Sequence, residues 1–372
     1  MGIRTCGGFP GGCMNPDLKG RFSDDAMQVL SSWKKKREFQ VNPLTGDASN
    51  RRYYRILFNK TLSDPEERVI LMERKAPEGF KGSEEKSAPT EGVPPGDAFV
   101  EIGNFLKKMN FPVPSIFFGT EDGSVLVQED LGDETLFMAL KKFPEQELAL
   151  RNHAIALLLK LQGLSPEAEM DWIRKRLFSE DLYLWEFDHF LEYGAVGQGS
   201  LDIDNARVLF EKESIVLASR LPETLLHRDY HSRNLMKADD GRLIVIDFQD
   251  MRMGSPLYDL SSFLFDAYRP VPEPLLGELV ARYYHEAVGE GVLPADLSYG
   301  DYRNLLARHA FQRNLKACGR FFYIDEVKGN PAYLESVPQT HRNLEFLSVW
   351  EPSIHPLWKV VKPLLKEPVL EA

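Results

Sequence analysis

Short apolar runs divide the chain into a first third that is rich in predicted strands and a remainder that is mostly helical. Strands are predicted over residues 52–58, 68–73 and 124–128, and the second of these contains the continuous apolar run VILM. Apolar residues at helical spacing predict an amphipathic helix over residues 23–37, and Asp97 is placed to cap a second helix. The start of the chain is therefore predicted to form a sheet with few helices.

The rest of the chain has mainly the apolar spacing of helices. The exception is the segment 224–250, which is predicted to form a loop, a short strand, a turn and a second strand. We therefore predict an α+β fold with a small β-rich N-lobe over residues 23–129 and a larger, mostly helical C-lobe over residues 130–372. Residues 1–22 are predicted to be a disordered leader, and residues 76–96 a flexible loop.

The overall composition argues against several classes of protein. The 372 residues include 45 Lys and Arg against 56 Asp and Glu, and the resulting net charge of −11 argues against binding to nucleic acid or to an anionic membrane. The sequence has no run of 18 apolar residues and no signal-peptide core, and its three cysteines are too few for a disulfide framework. We expect a cytoplasmic monomer with no nucleic-acid or membrane partner.

The strongest chemical signal is the segment HRDYHSRN, which is followed by the apolar run LIVIDF. Phosphoryl transfer requires a carboxylate that binds the attacking hydroxyl, and oxygen ligands for the Mg²⁺ that bridges the ATP phosphates. Asp229 supplies the carboxylate, and Asn234 with Asp247 supplies the oxygen ligands. A polar turn between two core strands is the alternative, but HxDxxxxN before a strand that ends in IDF is more restrictive than a turn requires. We therefore predict kinase chemistry with ATP and Mg²⁺ as cofactors.

Nucleotide contacts are predicted around the first strands. The segment TGDASN precedes a strand, and its small residues allow backbone N–H groups to approach phosphates, although a simple turn is the alternative. The predicted phosphate-covering residues are Gly46, Asp47, Ala48 and Ser49. Further candidates are the cation Lys75, its ion-pair partner Glu101, and Glu129 in the connection between the lobes. Arg52 or Arg55 could supply the cation instead of the lysine.

Candidate substrate contacts lie on two helices and on the catalytic loop. Glu186 and His189 share one face of the predicted helix 179–193, which is either a core helix or the wall of a sugar site. Arg313, in the segment QRNLK, either presents a cation to an anionic substrate or is an ordinary solvated charge. His231 either approaches the substrate or the γ-phosphate, or ties the loop in place.

Two further residues are predicted to support the loop. His227 precedes the catalytic Asp by two positions, and its imidazole is expected to bond to backbone groups. Asp259 opens an apolar helix, and its carboxylate is expected to accept backbone N–H bonds from the loop. Neither is expected to take part in the chemistry.

With these segments, the chain resembles the aminoglycoside phosphotransferase/choline kinase superfamily from about residue 44 to residue 347. It is most similar to the bacterial anomeric kinases of cell-wall recycling, which phosphorylate N-acetylmuramate and N-acetylglucosamine at C1. The segments that carry this match are GDASNRRYYR, QEDLGD, HRDYHSRN and DFQD. The resemblance implies a bilobal protein-kinase-like fold, residues 46–49 over the phosphates, Asp229 as the catalytic base, and Asn234 and Asp247 as Mg²⁺ ligands. The VILM strand has no lysine, a departure from the wider superfamily that leaves the phosphate-binding cation open.

The resemblance further implies a product and a partner. The product would be an amino-sugar 1-phosphate, which a separate nucleotidyltransferase would use to make a UDP-sugar. One alternative is the same chemistry on an aminoglycoside, choline or homoserine. A nucleotide-binding regulatory protein without catalysis is the other alternative, and the presence of Asp229, Asn234 and Asp247 together argues against it.

Overall fold

The computed structural model describes residues 26, 29, 30, 39–44, 51–59, 67–74, 97–120, 123–166 and 170–369. These residues belong to two compact units, of which the first ends at Gly132 and the second contains the rest of the chain from Asp133. The leader predicted over residues 1–22 and the loop predicted over residues 76–96 lie outside the described residues.

A five-stranded antiparallel sheet forms the first unit, within the described residues. Its strands are β1 (Phe39–Pro43), β2 (Arg51–Phe58), β3 (Glu67–Arg74), β4 (Ile116–Gly119) and β5 (Val125–Glu129). The spatial order is β1-β2-β3-β5-β4, so the VILM run of β3 lies in the centre and is buried. The three predicted strands are confirmed as β2, β3 and β5.

Two strands of this sheet have no clear sequence pattern. Both β1 and β4 are edge strands and are largely exposed or half-buried, so neither has an apolar face that the sequence could reveal. Beneath the sheet, Ala26, Val29 and Leu30 are helical and pack in the same apolar cluster as the buried side of β2 and β3. These three residues match the apolar face predicted for the first helix.

The helix α1 (Ala98–Lys108) has the predicted cap. The Asp97 side chain accepts hydrogen bonds from the backbone N–H groups of Phe99 (3.0 Å) and Val100 (3.3 Å), and so satisfies two of the free donors at the helix start. The same carboxylate pairs with Arg74 at the end of β3 at 2.5 Å. This ion pair connects the central strand to the helix.

The second unit is mostly helical. Its helices are α2 (Leu136–Lys142), α3 (Glu147–Gln162), α4 (Asp171–Arg174), α5 (Glu180–His189), α6 (Leu201–Ser219), α7 (Leu257–Leu264), α8 (Glu273–Gly289), α9 (Tyr299–Lys328), α10 (Val337–Trp350) and α11 (His355–Val361). A π-helical turn, Phe190–Gly194, continues α5, and short 3-10 turns occupy Pro144–Gln146, Pro331–Ser336, Pro352–Ile354 and Lys362–Leu364. In the described part of this unit, four short strands interrupt the helices: β6 (Thr224–Leu226), β7 (Leu235–Lys237), β8 (Leu243–Val245) and β9 (Arg252–Gly254).

The long helix α9 runs through the interior of this unit. It begins at the N-cap Ser298 and ends where Gly329 adopts a left-handed φ of 66°. At Gly319 it crosses the π-helical turn so closely that a Cβ there would lie 2.7 Å from the Cα of Phe190 and 2.9 Å from the carbonyl oxygen of His189. Only glycine permits this approach, which brings α5 and the middle of α9 together.

Across the described part of the chain, we find no helix with both the length and the apolar composition needed to cross a bilayer.

Candidate active site

The loop of residues 227–234 joins two short strand pairs. It leaves β6, which pairs with β9, and enters β7, which pairs with β8. Asp259, buried in the first turn of α7, accepts hydrogen bonds from the backbone N–H groups of His227 (2.6 Å) and Arg228 (2.9 Å). Arg228 has a left-handed φ of 77°, which is costly for a residue with a side chain. The two bonds to Asp259 hold the loop in this conformation, which confirms the predicted support role.

His227 ties the start of the loop to the end of β8. Its Nε2 lies 2.8 Å from the carbonyl oxygen of Ile246, and its Nδ1 accepts a hydrogen bond from the backbone N–H of Asp229 at 3.3 Å. Because Nδ1 is an acceptor, the ring proton is assigned to Nε2. The predicted structural role of His227 is therefore confirmed.

Asp229 is the carboxylate that the loop presents. Its side chain is 39% exposed, and its Oδ1 accepts hydrogen bonds from Nη2 of Arg313 (3.1 Å) and from Nζ of Lys316 (2.9 Å). Burial acts to raise the pKa of Asp229, but the charges of Lys316 and Arg313 outweigh it and hold the pKa well below its usual range. The carboxylate is therefore ionised at neutral pH.

Asn234 and Asp247 lie at the same end of one hairpin. Leu235 of β7 is opposite Val245 of β8, and one residue outward the N–H of Ile246 donates to the carbonyl oxygen of Asn234 at 3.1 Å. Asp247 follows directly, with a left-handed φ of 63°. The pairing of the strands therefore brings these two residues, which are thirteen positions apart in the sequence, to one edge of the hairpin.

The donor atoms at this edge suit a hard divalent cation. The Nδ2 of Asn234 donates to the carbonyl oxygen of Asp229 at 3.0 Å, so the amide oxygen is the atom that could face a cation. The Oδ1 of Asp247 accepts a hydrogen bond from Nε2 of Gln249 at 3.0 Å, an outer contact that orients the carboxylate. No three His, Cys, Asp or Glu side chains form a metal cluster among the described residues. One carboxylate and one amide nevertheless fit Mg²⁺, which takes few protein ligands and completes its shell with water and phosphate oxygens.

Glu186 is fully buried, so of the two positions that the sequence left open, a core helix or the wall of a sugar site, it occupies the core position. Tyr258 donates its hydroxyl to both carboxylate oxygens (2.9 and 3.0 Å), and Nε2 of Gln312 donates to Oε2 at 2.8 Å. The cations of Arg228 and Lys316 lie 3.4 and 3.8 Å from Oε1. Burial alone would raise the pKa of Glu186, but the surrounding cations lower it. The geometry makes Glu186 a buried counter-charge rather than a surface hydrogen-bond partner.

His189 lies in an aromatic cluster. Its ring centroid is 5.6 Å from that of Trp185, 4.9 Å from that of Tyr193 and 5.2 Å from that of Tyr323. The side chain is buried among these rings. This position is that of a packed core residue on α5, the alternative that the sequence left open.

Asp229 lines a pocket in the second unit. The pocket has a volume of about 90 Å³ and lies between the loop of residues 227–234, the end of α7 and the middle of α9. The polar and charged side chains that line it include those of Asp229, His231, Asp266, Arg313, Lys316 and Arg320. The Nδ1 of His231 is buried and has no hydrogen-bond partner in the described structure, and burial lowers the pKa of this ring. A neutral imidazole nitrogen therefore remains for a polar ligand.

Two lining residues and one buried contact were not anticipated from the sequence. Asp266 accepts three hydrogen bonds and anchors the loop, Arg320 extends the row of cations on α9, and Tyr258 links Glu186 to Arg313. The signal available for Arg320 was its spacing from Arg313, because positions seven apart lie on one face of a helix. Nothing in the sequence indicates what Asp266 or Tyr258 contacts.

Only some of the nucleotide candidates can be placed. Residues 46–49 and Lys75 lie outside the described residues, whereas Glu101 lies in the first turn of α1. The Oε2 of Glu129, at the end of β5, accepts a hydrogen bond from the backbone N–H of Ser115 at 3.0 Å. Arg55 forms a two-point ion pair with Asp130 (2.8 and 3.1 Å). This alternative phosphate-binding cation is therefore already engaged with a carboxylate.

Sequence comparison connects the chain to characterised proteins. Residues 40–293 match the family model described as "Phosphotransferase enzyme family". The chain is 26% identical to the N-acetylmuramate/N-acetylglucosamine kinase of Pseudomonas aeruginosa over 343 residues, which cover 90% of this chain and 92% of that protein. It is also 26% identical to the protein of the same name from Neisseria meningitidis serogroup B, over 90% of this chain and 93% of that one.

Solved structures show the fold. The gentamicin complex of the aminoglycoside phosphotransferase APH(2")-IIa superposes with a TM-score of 0.56 at 14% identity, over 86% of this chain and 96% of that one. Choline kinase LicA from Streptococcus pneumoniae superposes with a TM-score of 0.53 at 15% identity, over 86% of this chain and 96% of that one. The predicted α+β, protein-kinase-like fold class is therefore confirmed.

Proposed function

Because this chain belongs to the phosphotransferase enzyme family and is a kinase with a hydroxyl acceptor, we propose that it phosphorylates the anomeric hydroxyl of an N-acetylated amino sugar. The sugars are N-acetylmuramate, N-acetylglucosamine or both, and the product is the sugar 1-phosphate. Two relatives with these sugars in their names match 90% of this chain, which supports the choice of substrate. The observation that carries the proposal is the Asp229 carboxylate, which accepts hydrogen bonds from Arg313 and Lys316 and lines a pocket with them.

In the proposed reaction, Asp229 binds the hydroxyl of the sugar. The hydroxyl oxygen forms a bond to the γ-phosphorus of ATP, the bond between that phosphorus and the β–γ bridging oxygen breaks, and ADP leaves. Because the pKa of Asp229 is held low, its carboxylate is a weak base, and it orients the hydroxyl more than it deprotonates it. The proton of the hydroxyl passes to the Asp229 carboxylate late, as the new oxygen–phosphorus bond forms, which suits a loose phosphoryl transition state with little bonding to the nucleophile.

Mg²⁺, when bound, would neutralise charge on the phosphates. Asn234 and Asp247 would hold it, with Gln249 orienting the carboxylate through its hydrogen bond to Oδ1. For the phosphates we retain residues 46–49 as the covering loop and Lys75 as the cation, with Glu101 as its partner and Glu129 as a further nucleotide contact. The family resemblance supports residues 46–49, whereas Lys75, Glu101 and Glu129 are proposed from their positions in the sequence, and the absence of a lysine in the VILM strand leaves the cation open.

The wider setting follows from the chemistry. We place the reaction in the cytoplasm, where ATP is made. We propose that the enzyme is a monomer. It would consist of an N-lobe over residues 23–129 and a C-lobe over residues 130–372. The product would pass to a separate nucleotidyltransferase that forms a UDP-sugar. Aminoglycosides and choline are cationic, and a pocket with three cations disfavours them electrostatically.

A panel assay tests the proposal. Purified protein with Mg-ATP is incubated with N-acetylmuramate, N-acetylglucosamine, glucosamine, kanamycin, choline or homoserine, and ADP release is measured. We expect ADP release with the first two sugars, a phosphorus NMR signal coupled to the anomeric proton, and at least about a hundredfold loss in Asp229→Asn. Phosphorylation of choline, homoserine or kanamycin alone, or of a hydroxyl other than that at C1, would contradict it.

A further inference from the structure

Arg252 is a buried cation whose donors lack acceptors. It is the first residue of β9 and is 5% exposed, and its Nε and Nη1 are both buried without a hydrogen-bond partner among the described residues. Burial lowers the pKa of Arg252 to about 10, so the guanidinium keeps its charge at neutral pH. A buried charge is costly unless an acceptor binds it, and each unsatisfied N–H adds to that cost. The described surroundings of Arg252 therefore leave hydrogen bonds for a ligand to supply.

Strand pairing brings two more arginines to the same part of the second unit. Arg252 belongs to β9, which pairs with β6, and Arg228 lies two positions after the end of β6. The segment 176–178 also pairs with β9: the N–H of Met253 donates to the carbonyl oxygen of Arg176 at 2.9 Å, and the N–H of Phe178 donates to that of Met253 at 2.7 Å. The guanidinium carbon of Arg228 lies 5.5 Å from the centre of the Phe178 ring. The charges of Arg228 and Arg176 both act on the pKa of Arg252 and lower it.

The nearby carboxylates do not satisfy these guanidinium groups. Glu186 lies 3.4 Å from Nη2 of Arg228 and is already bound on both oxygens by other donors. Asp250 lies 3.9 Å from Nη2 of Arg176, and in the described structure no hydrogen bond joins it to Arg228 or Arg252. Its side chain is 49% exposed, so the cluster reaches solvent at this carboxylate. The Nε of Arg228 is buried without a partner, like Nε and Nη1 of Arg252.

We propose that Arg228 and Arg252 form a binding site for an oxyanion, a phosphate or carboxylate group that enters beside the half-exposed Asp250. Such a group accepts several hydrogen bonds at once, and the planar fork of arginine suits both kinds of oxyanion. A neutral ligand would leave the buried charge without compensation. Neither arginine is among the residues that line the pocket with Asp229, and the site does not depend on the proposed sugar kinase function. Free phosphate and the carboxylate of an acidic sugar are the two sources that the binding experiment separates.

Calorimetric titration without ATP tests the site. The natural protein, Arg252→Met and Arg252→Lys are titrated with inorganic phosphate, N-acetylmuramate and the neutral N-acetylglucosamine. Arg342→Met, at an exposed position on α10, is the control, and Arg320→Gln removes a cation from the pocket that contains Asp229. We expect the Kd of phosphate, of N-acetylmuramate or of both to rise at least about tenfold in Arg252→Met, less in Arg252→Lys and not at all in Arg342→Met. A rise for phosphate identifies a site for free oxyanions, and a rise for N-acetylmuramate alone identifies the sugar carboxylate.

Three results of this titration would overturn the site. They are natural protein that binds neither anion, anion affinities that are unchanged in Arg252→Met, and a loss of phosphate affinity in Arg320→Gln instead of Arg252→Met, which would place the anion in the other pocket. None of the three bears on the sugar kinase. Absence of ADP release with every sugar, in contrast, would overturn the kinase and leave the anion site.

Unfolding in urea distinguishes a ligand site from a structural arginine. Arg151 is also buried, but its Nε and Nη2 donate to Glu147 and to backbone carbonyl oxygens at 2.9–3.1 Å, so Arg151→Met should lower the urea midpoint. Without added anion, Arg252→Met should keep or raise the midpoint, because an apolar chain replaces an uncompensated buried charge. The anion that binds should raise the midpoint of the natural protein and leave that of Arg252→Met unchanged. A fall in Arg252→Met as large as that in Arg151→Met would assign Arg252 a structural role and overturn the proposal.

Discussion

Lys316 donates a hydrogen bond from its Nζ to Oδ1 of Asp229 at 2.9 Å. The same ammonium lies 3.8 Å from Oε1 of the fully buried Glu186, so one cation serves an accessible carboxylate and an inaccessible one. Burial lowers the pKa of Lys316 and the neighbouring Arg313 lowers it further, whereas the two carboxylates raise it. The charge state of the proposed catalytic group is therefore coupled to the interior of the second unit.

Replacing the ammonium of Lys316 should move the pH profile. In Lys316→Met the pKa of Asp229 should rise, because the largest favourable charge on its ionised form is removed. A carboxylate with a higher pKa is protonated at a higher pH, so the acidic limb of the kcat/KM profile should shift upward in pH, and kcat at neutral pH should fall at least about tenfold. Lys359→Met, an exposed site on α11, is the control. An acidic limb that does not move would show that Lys316 does not set this pKa.

The Glu186→Gln variant should lose stability rather than substrate affinity alone. Removing the negative charge leaves the cations near it, including Lys316 and Arg228, without their buried partner, at a cost of about 3–5 kcal/mol in the free energy of unfolding. Urea denaturation measures this loss. Glu335→Gln, at an exposed position, should change it by no more than about 0.5 kcal/mol.

The stability difference should also depend on pH. The pKa of Glu186 is lower in the folded protein than in the unfolded chain, so its stabilisation is complete above the unfolded pKa and is lost as the pH falls through the folded pKa. The difference in the free energy of unfolding between the natural protein and Glu186→Gln should therefore become smaller in acid and stay constant near neutral pH. A difference in the free energy of unfolding that grows in acid would contradict the lowered pKa of Glu186.

A methyl group at the helix crossing should be disruptive. In Gly319→Ala the new Cβ would meet backbone atoms of His189 and Phe190 at 2.7–3.0 Å, and backbone cannot move aside as a side-chain end can. We expect a loss of about 1–3 kcal/mol in stability, and a lower kcat because α5 and α9 both hold the Glu186 network. Gly277→Ala, in α8 with open space around it, should instead stabilise by about 0.5–1 kcal/mol. Thermal or urea unfolding of the two variants side by side gives the comparison.

The hydrogen bond from Gln249 to Asp247 should tune the Mg²⁺ requirement. Gln249→Leu removes the group that orients the carboxylate, so the Mg²⁺ concentration for half-maximal activity should rise about 10- to 100-fold, with a smaller change in kcat at saturating Mg²⁺. Gln339→Leu, on α10, is a control that leaves the hairpin intact. Identical Mg²⁺ titrations for Gln249→Leu and the natural protein would rule out this orienting contact.

Much of the fold was predictable because local patterns coincide with burial. The VILM run predicted β3 because a central strand is apolar on both faces, and Asp97 predicted the start of α1 because an aspartate satisfies free N–H donors there. The edge strands β1 and β4 were missed, since an exposed edge leaves no apolar signature. His227 and Asp259 were predicted to support the loop, and their hydrogen bonds to it agree.

By itself, the sequence determined the strands β2, β3 and β5, the loop that contains Asp229 and Asn234, and the acid that ends the following strand, because these features depend on residues close together in the chain. Only the tertiary structure decided what Glu186 does. Its sequence pattern fits a surface contact or a core position equally well, and the choice depends on α9 crossing α5 at Gly319 and surrounding the carboxylate with Gln312 and Lys316. Contacts between residues more than a hundred positions apart leave no local pattern in the sequence, because neither residue by itself shows which residue it will contact.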